Sequence, residues 1–166
     1  MVLIDSLKNS KGEIDADGIM KIIPYNEHFL MIDKVISLDK DKIVAEKFAD
    51  PKADFFKGHF AGFPIMPGAL IVEGMGQAGT LLVRYNIEGH EQKDVLAYKI
   101  SDSKFNAPSL PGDTLRYEIK LLGRDDRGAL LAATATVNGK QVAEARMMLA
   151  VVEKESFRAK SLQGWP

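Results

Sequence analysis

In the stretch GALIVEGMGQAGTLLV, residues 68–83, Gly74, Gly76 and Gly79 spell G-x-G-x-x-G, the spacing with which a dinucleotide-binding turn brings backbone amides up to a pyrophosphate. The same stretch carries Glu73 and Gln77, four residues apart, so on a helix their side chains share one face of an otherwise apolar rod. These two features demand different elements. A phosphate loop needs a strand before the glycines and a helix beginning at them, within repeated βαβ units. The Glu–Gln pair needs one helix running straight through.

The flanking sequence favours the helix. Pro67-Gly68 is a helix-start signal placed before the glycines, and the chain beyond offers strands in hairpin style without alternating helices. ALIVE (69–73) can pass as the strand of a nucleotide fold and Asp102 as its distant ribose acid, but these other signals outweigh them. Residues 68–85 are therefore predicted as a single helix, apolar on nearly every side and hence buried. Each interior glycine costs roughly 0.8–1 kcal/mol relative to alanine, so three of them imply something packed close to the backbone: a facing helix, a sheet or an acyl chain.

The surrounding elements follow from punctuation and periodicity. DADGIMKII (15–23) predicts a short helix with Asp15 as cap, stopped by Pro24. Residues 29–39 and 42–49 predict two strands around the LDKDK turn. Residues 50–68 hold three prolines, three glycines and four phenylalanines, too broken for regular structure yet apolar enough to pack on something. After residue 94 the chain reads as four strands, the last two flanking Asn138-Gly139, a type I′ hairpin signal. A buried helix, a leading hairpin and a long antiparallel sheet make an α+β chain in which the sheet wraps the helix, the hotdog architecture.

Composition narrows the function. The chain has 166 residues, 46% of them hydrophobic, enough for one core and one domain. Its net charge is −1, with basic residues dispersed, which argues against nucleic acid or a lipid surface as partner. The absence of cysteine excludes disulfides, thiolate nucleophiles and zinc–cysteine sites and is compatible with a reducing compartment. Acidic residues in the first eighteen and the lack of an apolar run near the roughly 20 residues of a membrane span predict a cytoplasmic protein.

GHFAGFPIMPGALIVEGMGQ (58–77) resembles the G-H-F-P-x-x-P-I-x-P-G-x-L-x-x-E-A-M-x-Q signature of the bacterial β-hydroxyacyl-(acyl carrier protein) dehydratases. The similarity extends more loosely from about residue 22 to about 152, through IIPYNEHFLMIDKV, PGDTLRYEI and AEARMML. It implies a single hotdog dehydratase-like domain over 1–166, with 1–14 and 154–166 as terminal extensions. It further implies that His59 and Glu73, fourteen residues apart, are the catalytic base and acid. Gly68 would offer its backbone N–H to the thioester carbonyl, Gln77 would orient Glu73, and Phe60 would line the substrate site. The implied reaction is loss of water from a (3R)-hydroxyacyl thioester on acyl carrier protein, without cofactor or metal. The implied assembly is a homodimer in which His59 meets the partner's acid, or a trimer of such dimers.

The chemistry fits those residue types. Elimination beside a thioester needs a base near neutrality, which histidine provides. It needs a stabiliser for the enolate oxygen, which an N–H at a helix N-terminus provides. It also needs a carboxyl still holding its proton, which desolvation on an apolar helix favours. Plainer roles exist for each: a structural carboxylate for Glu73, a helix-start glycine for Gly68. His90, in IEGHEQKD, is predicted to be solvated.

Departures from the signature are Pro24-Tyr25-Asn26-Glu27-His28-Phe29-Leu30 in place of P-H-R-x-P-F-L, Ala61 after H-F, and Gly74 and Gly76 for alanines. They are expected to leave the acid and base untouched and to alter acyl-chain range. Leu96 occupies the place of the family's gating tyrosine, with Tyr98 two residues on. The alternatives on the same scaffold are a thioesterase, which needs no G-H-F motif, and a silent carrier-binding subunit, which would normally lack His59 or Glu73.

Overall fold

Asp15 caps the first helix as predicted: its carboxylate accepts the Gly18 N–H at 2.8 Å, and α1 runs Ala16–Ile22. The computed structural model describes residues 3–162, so the ends of both expected extensions lie outside the described residues. Seven strands follow one another as β1 (Ile14–Asp15), β2 (Lys34–Leu38), β3 (Lys42–Phe48), β4 (Lys93–Phe105), β5 (Thr114–Asp125), β6 (Gly128–Val137) and β7 (Lys140–Glu153). They form one antiparallel sheet in the order β1-β2-β3-β5-β6-β7-β4. Asn138 (φ 50°) and Gly139 (φ 77°) make the tight β6–β7 turn, both in the left-handed region that a type I′ turn requires.

The central helix α3 spans Gly68–Tyr85 and lies against β3 to β7, so the sheet wraps it. Met75, Ala78, Leu81 and Leu82 meet the inward-facing side chains Leu115, Tyr117 and Ile119 of β5 and Leu131, Ala133 and Ala135 of β6, all buried. Alternation along β5 and β6 puts these residues on one face, and the small alanines of β6 let the helix sit close.

That close approach answers the glycine question. Gly74, Gly76 and Gly79 lie inside α3, where their N–H groups serve the helix ladder and not a phosphate. A Cβ on Gly74 would stand 2.5 Å from the Tyr117 hydroxyl, and one on Gly79 would stand 2.7 Å from Leu131 Cδ1. Gly76 has open space within 4 Å. The expectation that both Gly74 and Gly76 alter acyl-chain range is thereby corrected for Gly74, which accommodates the sheet. Gly74→Ala is expected to lower stability by roughly 1–3 kcal/mol through overpacking against a fully buried ring. Gly76→Ala should stabilise by up to roughly 1 kcal/mol. Thermal unfolding of both variants checks the order, and destabilisation by Gly76→Ala would mean that a second chain covers that face.

Three further expectations change. Residues 29–33 lie outside β2, and the backbone of 29–31 has side-chain partners instead of a strand: Gln77 bonds the Phe29 carbonyl and the Met31 N–H, and Lys47 Nζ bonds the Leu30 carbonyl at 3.1 Å. The broken segment before α3 contains one helical turn, α2 (Phe55–Gly58). His90 is buried, not solvated: Gly89, at φ 62°, folds the chain back so that the buried Arg84 guanidinium donates to the carbonyls of His90 and Lys93.

The segments expected as extensions differ from one another. Ile4 and Ile14 belong to the hydrophobic core, so the first fourteen residues contribute to it. The last helix, α4 (Lys154–Ser161), buries no residue and is tied by a two-pronged Arg158–Asp94 ion pair at 2.7 and 3.0 Å. Among the described residues no helix is long and apolar enough to cross a membrane.

Candidate active site

Gly68, His59, Glu73 and Gln77 are positioned by the start of α3 and the loop that feeds it. Pro67 precedes the helix with extended ψ, no side chain caps it, and the N–H groups of Leu70 and Ile71 turn back to the Pro67 carbonyl. Among the described residues no acceptor meets the N–H groups of Gly68 and Ala69, at the positive end of an eighteen-residue helix. A Cβ on Gly68 would lie 2.7 Å from the ring of Phe105, an exposed side chain at the end of β4, so a larger residue there would displace that ring.

His59 ends α2, its own N–H bonded to the Phe55 carbonyl. The loop beyond is pinned by the Ile65 N–H to the His59 carbonyl (2.8 Å) and the Met66 N–H to the Ser109 carbonyl (2.8 Å). The imidazole Nδ1 stands 3.0 Å from the Ile65 carbonyl oxygen. A carbonyl only accepts, so Nδ1 carries the hydrogen and Nε2 presents a lone pair, the tautomer a base needs. Phe60, about half exposed, stacks on this ring with centroids 4.0 Å apart.

Glu73 is held through Gln77. The Gln77 side chain is fully buried, its Oε1 accepts the Met31 N–H at 2.8 Å, and its Nε2 donates to the Phe29 carbonyl (2.9 Å) and to Glu73 Oε1 (3.0 Å). Every partner is of the sign that this orientation demands, so the amide cannot turn over without losing all three bonds. Glu73 is thus braced against the 24–31 loop.

One departure from the signature, Tyr25, lies in that loop. Burial, and after it the nearby Glu73 charge, push the Tyr25 hydroxyl up to about 12. The one sequence signal for this was the position of Tyr25, where the signature has histidine.

His59 and Glu73 of one chain are not brought together: no hydrogen bond or ion pair joins them among the described residues. Leu96 and Tyr98 lie on β4, the outermost strand, and both are exposed, Tyr98 by 75%.

The family described as the FabA-like domain matches residues 23–146, which contain the whole of this constellation. The 3-hydroxyacyl-[acyl-carrier-protein] dehydratase FabZ of Solibacter usitatus is 39% identical over 142 residues, covering 86% of this chain and 88% of its own. The enzyme of the same name from Protochlamydia amoebophila is 35% identical over 154 residues, covering 92% and 99%. Among solved structures, the dehydratase heterocomplex ApeI:P from Xenorhabdus doucetiae superimposes with a TM-score of 0.72 at 14% identity, over 85% of this chain and 95% of its own. A thioesterase from Haemophilus influenzae superimposes with 0.59 at 17% identity, so the hotdog fold is shared while the fold alone does not distinguish the two chemistries. With a family match over most of its length and relatives at this identity, the chain belongs to the FabA-like family.

Proposed function

We propose that the protein is a 3-hydroxyacyl-(acyl carrier protein) dehydratase, a hydro-lyase of fatty acid biosynthesis. The observation that carries this reading is His59, tautomerically set by the Ile65 carbonyl to present Nε2 as a base. The names borne by the relatives agree with it. His59 Nε2 takes a proton from C2 of the (3R)-hydroxyacyl thioester. The C2–H electrons form the C2=C3 double bond as the C3–O bond breaks, and Glu73 protonates the departing hydroxyl, which leaves as water. Charge rising on the thioester oxygen meets the N–H of Gly68 and the dipole of α3. Proton exchange with solvent resets the imidazolium and the carboxylate. Phe60, stacked on the base, offers an apolar wall to the acyl chain.

Because no hydrogen bond or ion pair joins His59 to its own Glu73 among the described residues, the site is completed by the Glu73 of a second copy, and the working unit is a homodimer. Support comes from β4, which is thirteen residues long, has one unpaired edge and exposes Leu96, Tyr98 and Ile100. Such an edge is a template for pairing with another chain. We place the activity in the cytoplasm, in keeping with a chain that contains no cysteine.

The test is to incubate the purified protein with crotonyl and longer trans-2-enoyl thioesters and to follow loss of the enoyl absorbance, the reaction being reversible. Hydration without release of free thiol is expected. Thiol release at a comparable rate, read with a thiol-trapping dye, would make the protein a thioesterase.

A further inference from the structure

Three consecutive residues of β3 hold the end of the loop that supplies the backbone partners of Gln77. The Asp33 N–H donates to the Glu46 carbonyl at 2.8 Å, and the Phe48 N–H donates to Asp33 Oδ2 at 2.6 Å. Between them Lys47, its side chain only 20% exposed, bonds Asp33 Oδ1 at 2.7 Å and the Leu30 carbonyl at 3.1 Å through the same ammonium. The Leu30 carbonyl and the Met31 N–H are the two ends of one planar peptide group, and that N–H is the donor to Gln77 Oε1 at 2.8 Å. Gln77 Nε2 then donates to Glu73 Oε1 at 3.0 Å. An unbroken line of hydrogen bonds therefore runs from the Lys47 ammonium through two amide groups to the carboxyl group of Glu73, every donor pointing the same way.

We infer that Lys47 is a positioning residue for the dehydration: it acts on Glu73 through the Leu30–Met31 peptide group and the Gln77 amide, so that the carboxyl group is held with its proton toward the C3 hydroxyl of the substrate. This rests on the role of Glu73 as the acid. Hydrogen-bonded amides in line polarise one another, so a cation on the first carbonyl makes the Met31 N–H, and then the Gln77 N–H, a stronger donor. As Glu73 surrenders its proton, negative charge develops on the carboxylate, and the bond from Gln77 strengthens at that moment. Stabilisation that grows toward the transition state raises kcat and leaves ground-state binding alone.

Lys47→Met keeps the aliphatic stem and removes the ammonium. A hydrogen bond to a charged group, attenuated over two amides, predicts a fall in kcat of roughly five- to thirtyfold for enoyl-thioester hydration, with KM changed by less than about twofold. Lys47→Arg restores a cation that can donate to both Leu30 and Asp33, and should return kcat to within about threefold of wild type. In a Gln77→Met background the line is already cut, so adding Lys47→Met should cost less than about twofold more, because residues acting as one unit are not additive. Thermal unfolding reports the stability of each variant. Asp15→Ala, which removes the α1 cap, is the control: it loses stability and should keep wild-type kcat. If Lys47→Met does not fold, Lys47→Gln, neutral and one bond short of the ammonium position, is read with the same expectation.

Wild-type kcat in the folded neutral variant, a loss confined to KM, no recovery with arginine, or losses that multiply in the double variant would each overturn the proposal while leaving Glu73 as the acid. So would a kcat loss in Asp15→Ala as large as that in Lys47→Met, which would make the effect one of stability alone. Wild-type turnover in Glu73→Gln alone would instead remove the acid itself, and the role of Lys47 with it. The two failures are therefore distinguishable.

Discussion

Replacing His59 with alanine lowers enoyl-thioester hydration by roughly two to four orders of magnitude, the usual contribution of a general base, while the fold persists. Persistence is expected because the imidazole makes a single hydrogen bond, to the Ile65 carbonyl, and the loop is otherwise pinned by backbone bonds from Ile65 and Met66. The carbonyl released by the substitution lies in a segment with exposed neighbours, where water can satisfy it. Steady-state kinetics with circular dichroism and unfolding curves make the comparison. A folded variant with near-normal turnover would show that another group removes the C2 proton.

Glu73→Gln is expected to cause a loss of the same order, since the glutamine is isosteric and can still accept from Gln77 but has no proton to deliver. The larger effect appears on mixing. If each site takes His59 from one subunit and Glu73 from the other, a His59→Ala subunit paired with a Glu73→Gln subunit forms one intact site and one doubly damaged site. Random reassortment of the two nearly inactive proteins then restores about a quarter of wild-type activity, because about half the dimers are mixed and each has one of two sites working. Subunits are exchanged by joint unfolding and refolding or by co-expression. No gain on mixing, with mixed dimers verified, would place both groups of each site in one chain.

Local signals carried much of the architecture. Asp15 followed by an apolar period and Pro24 defined α1, Pro67-Gly68 set the first residue of α3, and Asn138-Gly139 set the last hairpin. In each case the determining chemistry lies within a few residues: a cap, a fixed proline φ, a positive φ. The start of β2 failed the same test because the partners of residues 29–31 are the side chains of Gln77 and Lys47, distant in the chain. Burial of His90 was hidden likewise, since a polar-looking loop is drawn inward by Arg84 at the end of α3.

The candidate site divides along the same line. The types and spacing of His59, Gly68, Glu73 and Gln77 are linear information, because a helix fixes the relation of Glu73 to Gln77 and a resemblance supplies the rest. By itself the sequence determined which groups could serve as base, acid and N–H donor, and that the glycines of α3 needed close packing. The tertiary structure decided what each one meets. It sets Tyr117 against Gly74 and Phe105 against Gly68, fixes the His59 tautomer through Ile65, and braces Glu73 through the buried Gln77 amide. Those contacts join residues far apart in the chain, and their energies depend on distance and burial, which no local pattern of residues encodes.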